Sequence, residues 1–395
     1  MNTIKNQFTV TREICRLEPA NIIVCLVTTL LAIGIIMIYS TSSIRVVEGH
    51  NTINIPFLKH ILWIIFAIIC MLVMMKLDYH YLLRYSNLIF FVALVGLVIV
   101  LIPGVGTVTN GACRWIRFGG CFGFQPSEFA KLAMIIFMSS YIAKNQEKMS
   151  HFNKGFVIPV ILIGAVSLLI LKEPDFGTAV FITLISFILI MVGGTRIIYI
   201  IFAVMASIPH IYEIMYKMPT YQKNRLIAFL DPWKDPEGIG YQIIQSWIAL
   251  GSGGLTGLGL GGSHQKLFFL PESSSDFVFS IIGEELGFIG TALIIIMFAL
   301  LAWQGVRVCK LAPDMFGFIL SLGITFSIAI QSAINIAVAT GSVPTKGLPL
   351  PFISTGGSSL LFSLLGIGIL LNIAKQSKDN AVSVKDALNN RSFVT

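Results

Sequence analysis

The stretch PESSSDFVFSIIGEE, Pro271 to Glu285, decides how this chain is read. A polar run ends at Asp276, and an apolar segment of membrane grade begins at Phe277. Glu284 and Glu285 follow about two helical turns further in. An acid near the centre of a bilayer costs roughly 2.5–3.5 kcal/mol on insertion scales. Carboxylates so placed point to a water-accessible cavity, a paired partner or chemistry.

The rest of the sequence supports a membrane setting. Of 395 residues, 55% are hydrophobic and only 12% charged, and the mean hydropathy is +0.85. Apolar runs near the ~20 residues that cross a bilayer recur along the chain. They predict an all-α, polytopic integral membrane protein of about ten transmembrane helices. The expected spans are 21–40, 57–75, 86–102, 126–143, 156–171, 177–193, 197–216, 277–303, 315–340 and 357–374. The segment before residue 21 reads as cytoplasmic and shows no cleavable signal. The polar residues from Lys375 to the end read as a short, mobile cytoplasmic tail. With both ends inside, Lys and Arg are more frequent on the cytoplasmic side than in the short exterior loops. The net charge of +8 is spread over such loops, so it signals orientation rather than a nucleic-acid partner.

Two exterior loops stand out. One, about 103–125, holds Arg114, Trp115 and Arg117. The other, 217–276, lies between spans seven and eight and is the only long connection. Its aromatic and apolar residues (Tyr241, Trp247, Leu250) predict order and packing against the membrane domain. Cys113 and Cys121 share the first of these loops, where a disulfide or two free thiols are both compatible with the spacing.

Several constellations could carry chemistry. In Gln125-Pro126-Ser127-Glu128, proline suits a first helical turn, and Glu128 and Lys131 become i,i+3 neighbours. The pair either fixes helix packing or places Lys131 on a polar cavity to meet an anion. Arg114, Arg117, Arg225 and Lys346 all fall on the exterior side. Singly each is compatible with a solvated charge; together, beside Asp276, they fit a site for a diphosphate near the outer leaflet. Gly257, Gly259 and Gly262 formally match a dinucleotide fingerprint, but no strand–turn–helix context surrounds them, so they read as glycines for tight turns and close packing. Asp231 and Asp235 lack the spacing of a nucleotide-sugar metal site. Gln331 and Asn335 read as polar side chains that bond across helices. Asp175 reads as an N-cap, and Glu284 and Glu285 as packing or cavity-lining acids.

These segments together resemble the SEDS family (shape, elongation, division and sporulation). The matching pieces are Arg114-Trp115-Ile116, Gln125–Glu128 with Lys131, Glu173–Thr178, and Arg225 with Asp231–Pro236. Gly240-Tyr241-Gln242, Leu270–Gly287 and Pro344–Ser359 complete the series, which runs in order across nearly the whole chain. Ile282–Gly287 and the lysine of Pro344–Gly347 favour the division branch over the elongation branch. The sequence departs from the family pattern at Ser274-Ser275, where His-Thr is usual, and at Thr355, where Tyr is usual.

The resemblance implies an inverting peptidoglycan glycosyltransferase that polymerises lipid II at the outer face of the bacterial cytoplasmic (inner) membrane, at the division septum. Its donor would be a glycan on undecaprenyl diphosphate. Asp276 would be the base. Lys346, Arg225, Arg114 and Lys131, with Glu128 and Arg117 beside them, would hold or orient substrate. A divalent cation (Mg or Mn) could share the diphosphate, although no motif supplies its ligands. The implied partners are a class B penicillin-binding transpeptidase (FtsI-like) and division membrane proteins of the FtsQ, FtsL, FtsB and FtsN kind. The alternatives are a lipid II flippase, a non-catalytic scaffold, or a sister polymerase of elongation or sporulation.

Overall fold

The computed structural model describes residues 18–42, 55–109, 112–118, 122–199, 201–202, 205, 224, 228–267 and 269–391. The described helices are α1 (Pro19–Ser42), α2 (Ile55–Lys76), α3 (His80–Val100), α4 (Pro126–Lys144), α5 (Ile158–Lys172), α6 (Phe176–Val192), α7 (Tyr241–Ser252), α8 (Val278–Leu311), α9 (Met315–Ala339) and α10 (Gly357–Arg391). Among the described residues, seven helices are long and apolar enough to cross a membrane, and α6 is a shorter apolar one. The span expected at 197–216 lies largely outside the described residues.

The pattern of exposure is that of a bundle in lipid. Large apolar side chains such as Phe91, Ile161, Leu168, Phe288 and Trp303 face outward, whereas Glu128, Lys131, Gln331 and Asn335 are buried. Helix α4 carries Glu128 and Lys131 and is the least suited to contact lipid. It is accordingly wrapped by α3, α6, α9 and α10. Its start is set by Pro126 in the first turn and Glu128 near the N-terminal end of the helix dipole.

Three features differ from the sequence expectation. The loop around Arg114 is a small antiparallel sheet, β1 (Thr107–Thr109), β2 (Ala112–Phe118) and β3 (Phe122–Phe124), in the order β1-β2-β3. Helix α10 does not stop near residue 374 but continues to Arg391. The segment after Lys375 is polar, yet it contains no Gly or Pro to end a helix.

The third concerns the long connection, which is not wholly exterior. Helix α7 descends alongside the first turns of α8. Ser246 Oγ meets Ser280 Oγ at 2.6 Å, and further down the backbone of Leu258 and Gly259 donates to the carbonyls of Glu284 and Glu285. The chain then returns through Ser263–Lys266 to Asp276. By helical rise, the turn reaches about 14 Å below the start of α8. Irregular backbone at that depth must be satisfied by protein. Here α8 breaks to receive it: Gly287 adopts φ 67° and ψ −166°, and Phe288 and Ile289 donate to the carbonyls of Gly254 and Leu255. A Cβ at Gly287 would collide with the backbone of Gly257 and Leu255. The glycine run is thus a means of close backbone packing.

Candidate active site

Asp276 ends the turn before α8 and is half-buried. The turn that carries it is pinned to residues 348–355. Ser354 Oγ donates to Ser275 O at 2.6 Å. Thr355 donates to Ser274 O through both its amide (2.9 Å) and its hydroxyl (2.9 Å). Asn335 Nδ2, from α9, donates to Asp276 O at 2.9 Å and to Leu348 O at 2.8 Å. Ser274-Ser275 and Thr355, the positions at which the chain departs from the family pattern, therefore meet one another.

The same segment carries Lys346, next to Gly347 in the chain. Asp276 Oδ2 lies 3.2 Å from the place a Cβ on Gly347 would occupy. The stem of Lys346 runs along Gly177, and its ammonium stands 5.4 Å from the centroid of the Phe176 ring, a cation–π distance. Burial lowers the Lys346 pKa from its ordinary value. Among the described residues, no carboxylate forms a salt bridge with it.

Arg114, on β2, reaches the same turn between α5 and α6. Its Nε donates to Glu173 O at 3.3 Å, and its Nη2 donates to Pro174 O. Asp175 caps α6, accepting from Thr178 N at 3.2 Å and Thr178 Oγ1 at 2.9 Å. Glu173 is fully buried, and neither carboxyl oxygen has a hydrogen-bond partner among the described residues. Burial, reinforced by Asp175 and opposed by Arg114, raises its pKa to about 8. At neutral pH it is a neutral acid, so the Arg114 charge is matched by carbonyl dipoles rather than cancelled by that carboxylate.

Lys131 and Glu128 lie beneath this surface. They form a buried pair at 2.7 Å. Lys131 Nζ also donates to Gln331 Oε1 at 3.1 Å and lies 5.2 Å from the Phe181 ring centroid. Gln331 Nε2 in turn donates to Pro349 O at 2.8 Å. A small cavity of about 30 Å³ adjoins Glu128, Lys131, Ser327, Gln331 and Ser363, room enough for water beside the pair. The pair thus supports the underside of the 346–350 segment instead of opening onto it. Gln331 bonds across helices as the sequence suggests. Asn335 does not: both its bonds go to irregular backbone at the site.

Arg117 is on β2 opposite Gly123; its side chain, all of Arg225, and the side chains of Cys113 and Cys121 lie outside the described residues. Cys25, Cys70 and Cys309 are free. Glu284 accepts from Ser263 Oγ and from His264 N at 2.9 Å, so it anchors the returning chain. Glu285 pairs with Lys266 at 2.7 Å and accepts from Ser40 Oγ at 2.7 Å. Lys266 carries no local signal in the sequence, and Glu173 enters there only within the Glu173–Thr178 match. An acid followed directly by Pro-Asp at a span end was the available hint for Glu173.

An apolar helical bundle with a carboxylate, an ammonium and a guanidinium gathered at one end of its spans defines a polytopic membrane protein with a polar site at the bilayer surface. The chain belongs to the FtsW/RodA/SpoVE family of cell cycle proteins, whose family model matches residues 20–379. A probable peptidoglycan glycosyltransferase FtsW of Trichlorobacter lovleyi is 44% identical, over 93% of this chain and 96% of its own. The stage V sporulation protein E of Bacillus subtilis is 40% identical, over 91% and 98%. In three dimensions the chain is similar to a chain of a peptidoglycan synthase complex (TM-score 0.74, 24% identity, 90% of this chain and 97% of that one). It is also similar to the rod shape determining protein RodA of Thermus thermophilus (TM-score 0.65, 23% identity, 90% and 96%).

Proposed function

We propose that this protein is a peptidoglycan glycosyltransferase that polymerises lipid II at the outer face of the cytoplasmic membrane during septal wall synthesis. The observation that carries the reading is the seating of the Asp276 carboxylate on Gly347, next to Lys346, at the open end of the bundle. Relatives named for this activity across most of their length support it.

In the reaction, the GlcNAc 4-hydroxyl of lipid II attacks the anomeric carbon of the donor glycan. Asp276 takes the hydroxyl proton as the new β-1,4 bond forms. The bond from the anomeric carbon to diphosphate oxygen breaks, and undecaprenyl diphosphate leaves with the electron pair, inverting the centre. A positioned base and a stabilised leaving group are what such a displacement needs. Lys346 and Arg114 supply positive charge to the diphosphate, and Arg225 and Arg117 are assigned to the same task. Lys131 and Glu128 act from beneath, through Gln331. Among the described residues, no set of three or more His, Cys, Asp or Glu side chains gathers to hold a metal ion. A magnesium or manganese ion would therefore be held chiefly by the diphosphate itself, where it would supply further positive charge, and no residue of this chain is assigned to it. The polyprenyl tail would lie along the apolar spans, which accounts for a glycosyltransferase without a nucleotide-binding fold.

The reading includes a class B penicillin-binding transpeptidase as partner, with division proteins of the FtsQ, FtsL, FtsB and FtsN kind around it. A flippase would move lipid II across the bilayer without joining it to a glycan, and transbilayer movement in liposomes with no chain growth would favour that reading. The test is polymerisation of labelled lipid II by the purified protein with its transpeptidase. Asp276→Asn should abolish chain growth in a folded protein; retained growth refutes the base assignment. Filaments on depletion support the septal role, and spheres or a sporulation defect refute it.

A further inference from the structure

We infer that Asn335 is a positioning residue that fixes the Asp276 backbone to the Lys346–Leu348 segment, and so holds the base against the leaving-group cations. The inference rests on the glycosyltransferase reading for its kinetic consequence, but its structural part stands by itself.

Asn335 projects from α9, near the end of the helix that faces the site. It is buried, and its Nδ2 carries two hydrogens. One goes to Asp276 O at 2.9 Å and the other to Leu348 O at 2.8 Å. These carbonyls belong to two segments far apart in sequence, and the same two segments present the carboxylate and the ammonium. Helix α9 is thus a fixed rail from which one amide group ties both halves of the site. Gln331, one turn earlier, repeats the arrangement on the same face. It donates to Pro349 O at 2.8 Å and accepts from Lys131 Nζ at 3.1 Å. The buried Glu128–Lys131 pair therefore orients Gln331, and Gln331 and Asn335 present successive donors to the chain between Leu348 and Pro349. Asn335 Oδ1 has no partner among the described residues. The amide is therefore placed by what it donates, as expected of a clamp on backbone carbonyls and not of a side chain bonded to a neighbouring helix.

Geometry of this kind governs turnover more than binding. A displacement of about 1 Å at a reacting group can cost roughly a hundredfold. Asn335→Leu keeps the side chain's size and removes both donors. In lipid II polymerisation with the transpeptidase partner, kcat per folded molecule should fall about tenfold to a hundredfold, with KM changed by less than about threefold. Hydrogen exchange, measured on the same protein, should quicken in peptides covering 272–278 and 344–351. Exchange in the middle of α9 should stay as it was. Wild-type kcat per folded molecule, or unchanged exchange in both peptides, overturns the proposal; so does a loss confined to folded yield. Should Asn335→Leu not fold, Asn335→Ser, whose short hydroxyl reaches at most one carbonyl, gives the same readouts, and wild-type turnover in it is equally fatal. If the unmutated protein polymerises nothing, the enzymatic reading fails, while the exchange result still decides whether Asn335 holds the two segments together.

Discussion

Asp276 Oδ2 lies 3.2 Å from where a Cβ on Gly347 would stand. The carboxylate therefore uses the space that the missing side chain leaves. Gly347→Ala should push the carboxylate outward by a few tenths of an ångström. Gly347 itself is exposed, so folding should survive. The expected result is a fall in kcat of about tenfold with an unchanged melting temperature, read from lipid II polymerisation and thermal unfolding of the same preparation.

Lys346 should set the alkaline limit of activity. Its pKa is lowered by burial, so its charge is lost at a pH below the ordinary lysine value. Its contribution to diphosphate binding is present below that point and lost as pH rises through it. Lys346→Arg should move the limb upward, because a guanidinium stays charged. A pH–rate profile of both proteins checks this, and coincident limbs refute it.

Glu173 should make the protein less stable as pH rises. Its pKa in the folded protein is about 8, above the ordinary value. The unfolded chain loses this proton first, near the ordinary glutamate pKa. From there to about pH 8 each unit of pH favours unfolding by about 1.4 kcal/mol, and above pH 8 the penalty is constant. Glu173→Gln carries no such penalty. Its unfolding free energy should match the parent near pH 4 and exceed it progressively up to pH 8, by on the order of a few kcal/mol, read as a growing gap in melting temperature.

Lys266 and Glu285 should show the asymmetry of a buried ion pair. Their side chains are 4% and 0% exposed. Removing one partner leaves the other charge buried, so Lys266→Met and Glu285→Leu should each destabilise by about 3–5 kcal/mol. The double variant should lose less than the sum. Thermal unfolding across the four-protein cycle gives the coupling, and strict additivity would mean the pair is solvated.

Much of the membrane domain was legible because its cause is local. A bilayer demands about twenty apolar residues per helix, and such runs are visible without any knowledge of their neighbours. Sequence and structure agree closely on where α1, α4, α6 and α9 lie. The strand Ala112–Phe118 was not read, being short and carrying charges within a loop. Helix α10 overran its expected end because polarity alone does not stop a helix. The inward turn at Gly257 looked like an exterior loop, since composition records glycine but not the broken helix at Gly287 that receives it.

The sequence by itself determined that this is a polytopic membrane protein, that acids and cations cluster toward one face, and to which family it belongs. Only the tertiary structure decided how those charges are used. It seats Asp276 on Gly347 beside Lys346, buries Lys131 with Glu128 under the site, buries the Glu173 carboxyl, and gives Asn335 two carbonyls to hold. The division has a physical cause. Insertion into lipid depends on the summed hydrophobicity of neighbouring residues, which a linear reading contains. Pairing of charges depends on which distant segments the packed helices bring within about 3 Å of each other, and that is set only when the whole bundle has closed.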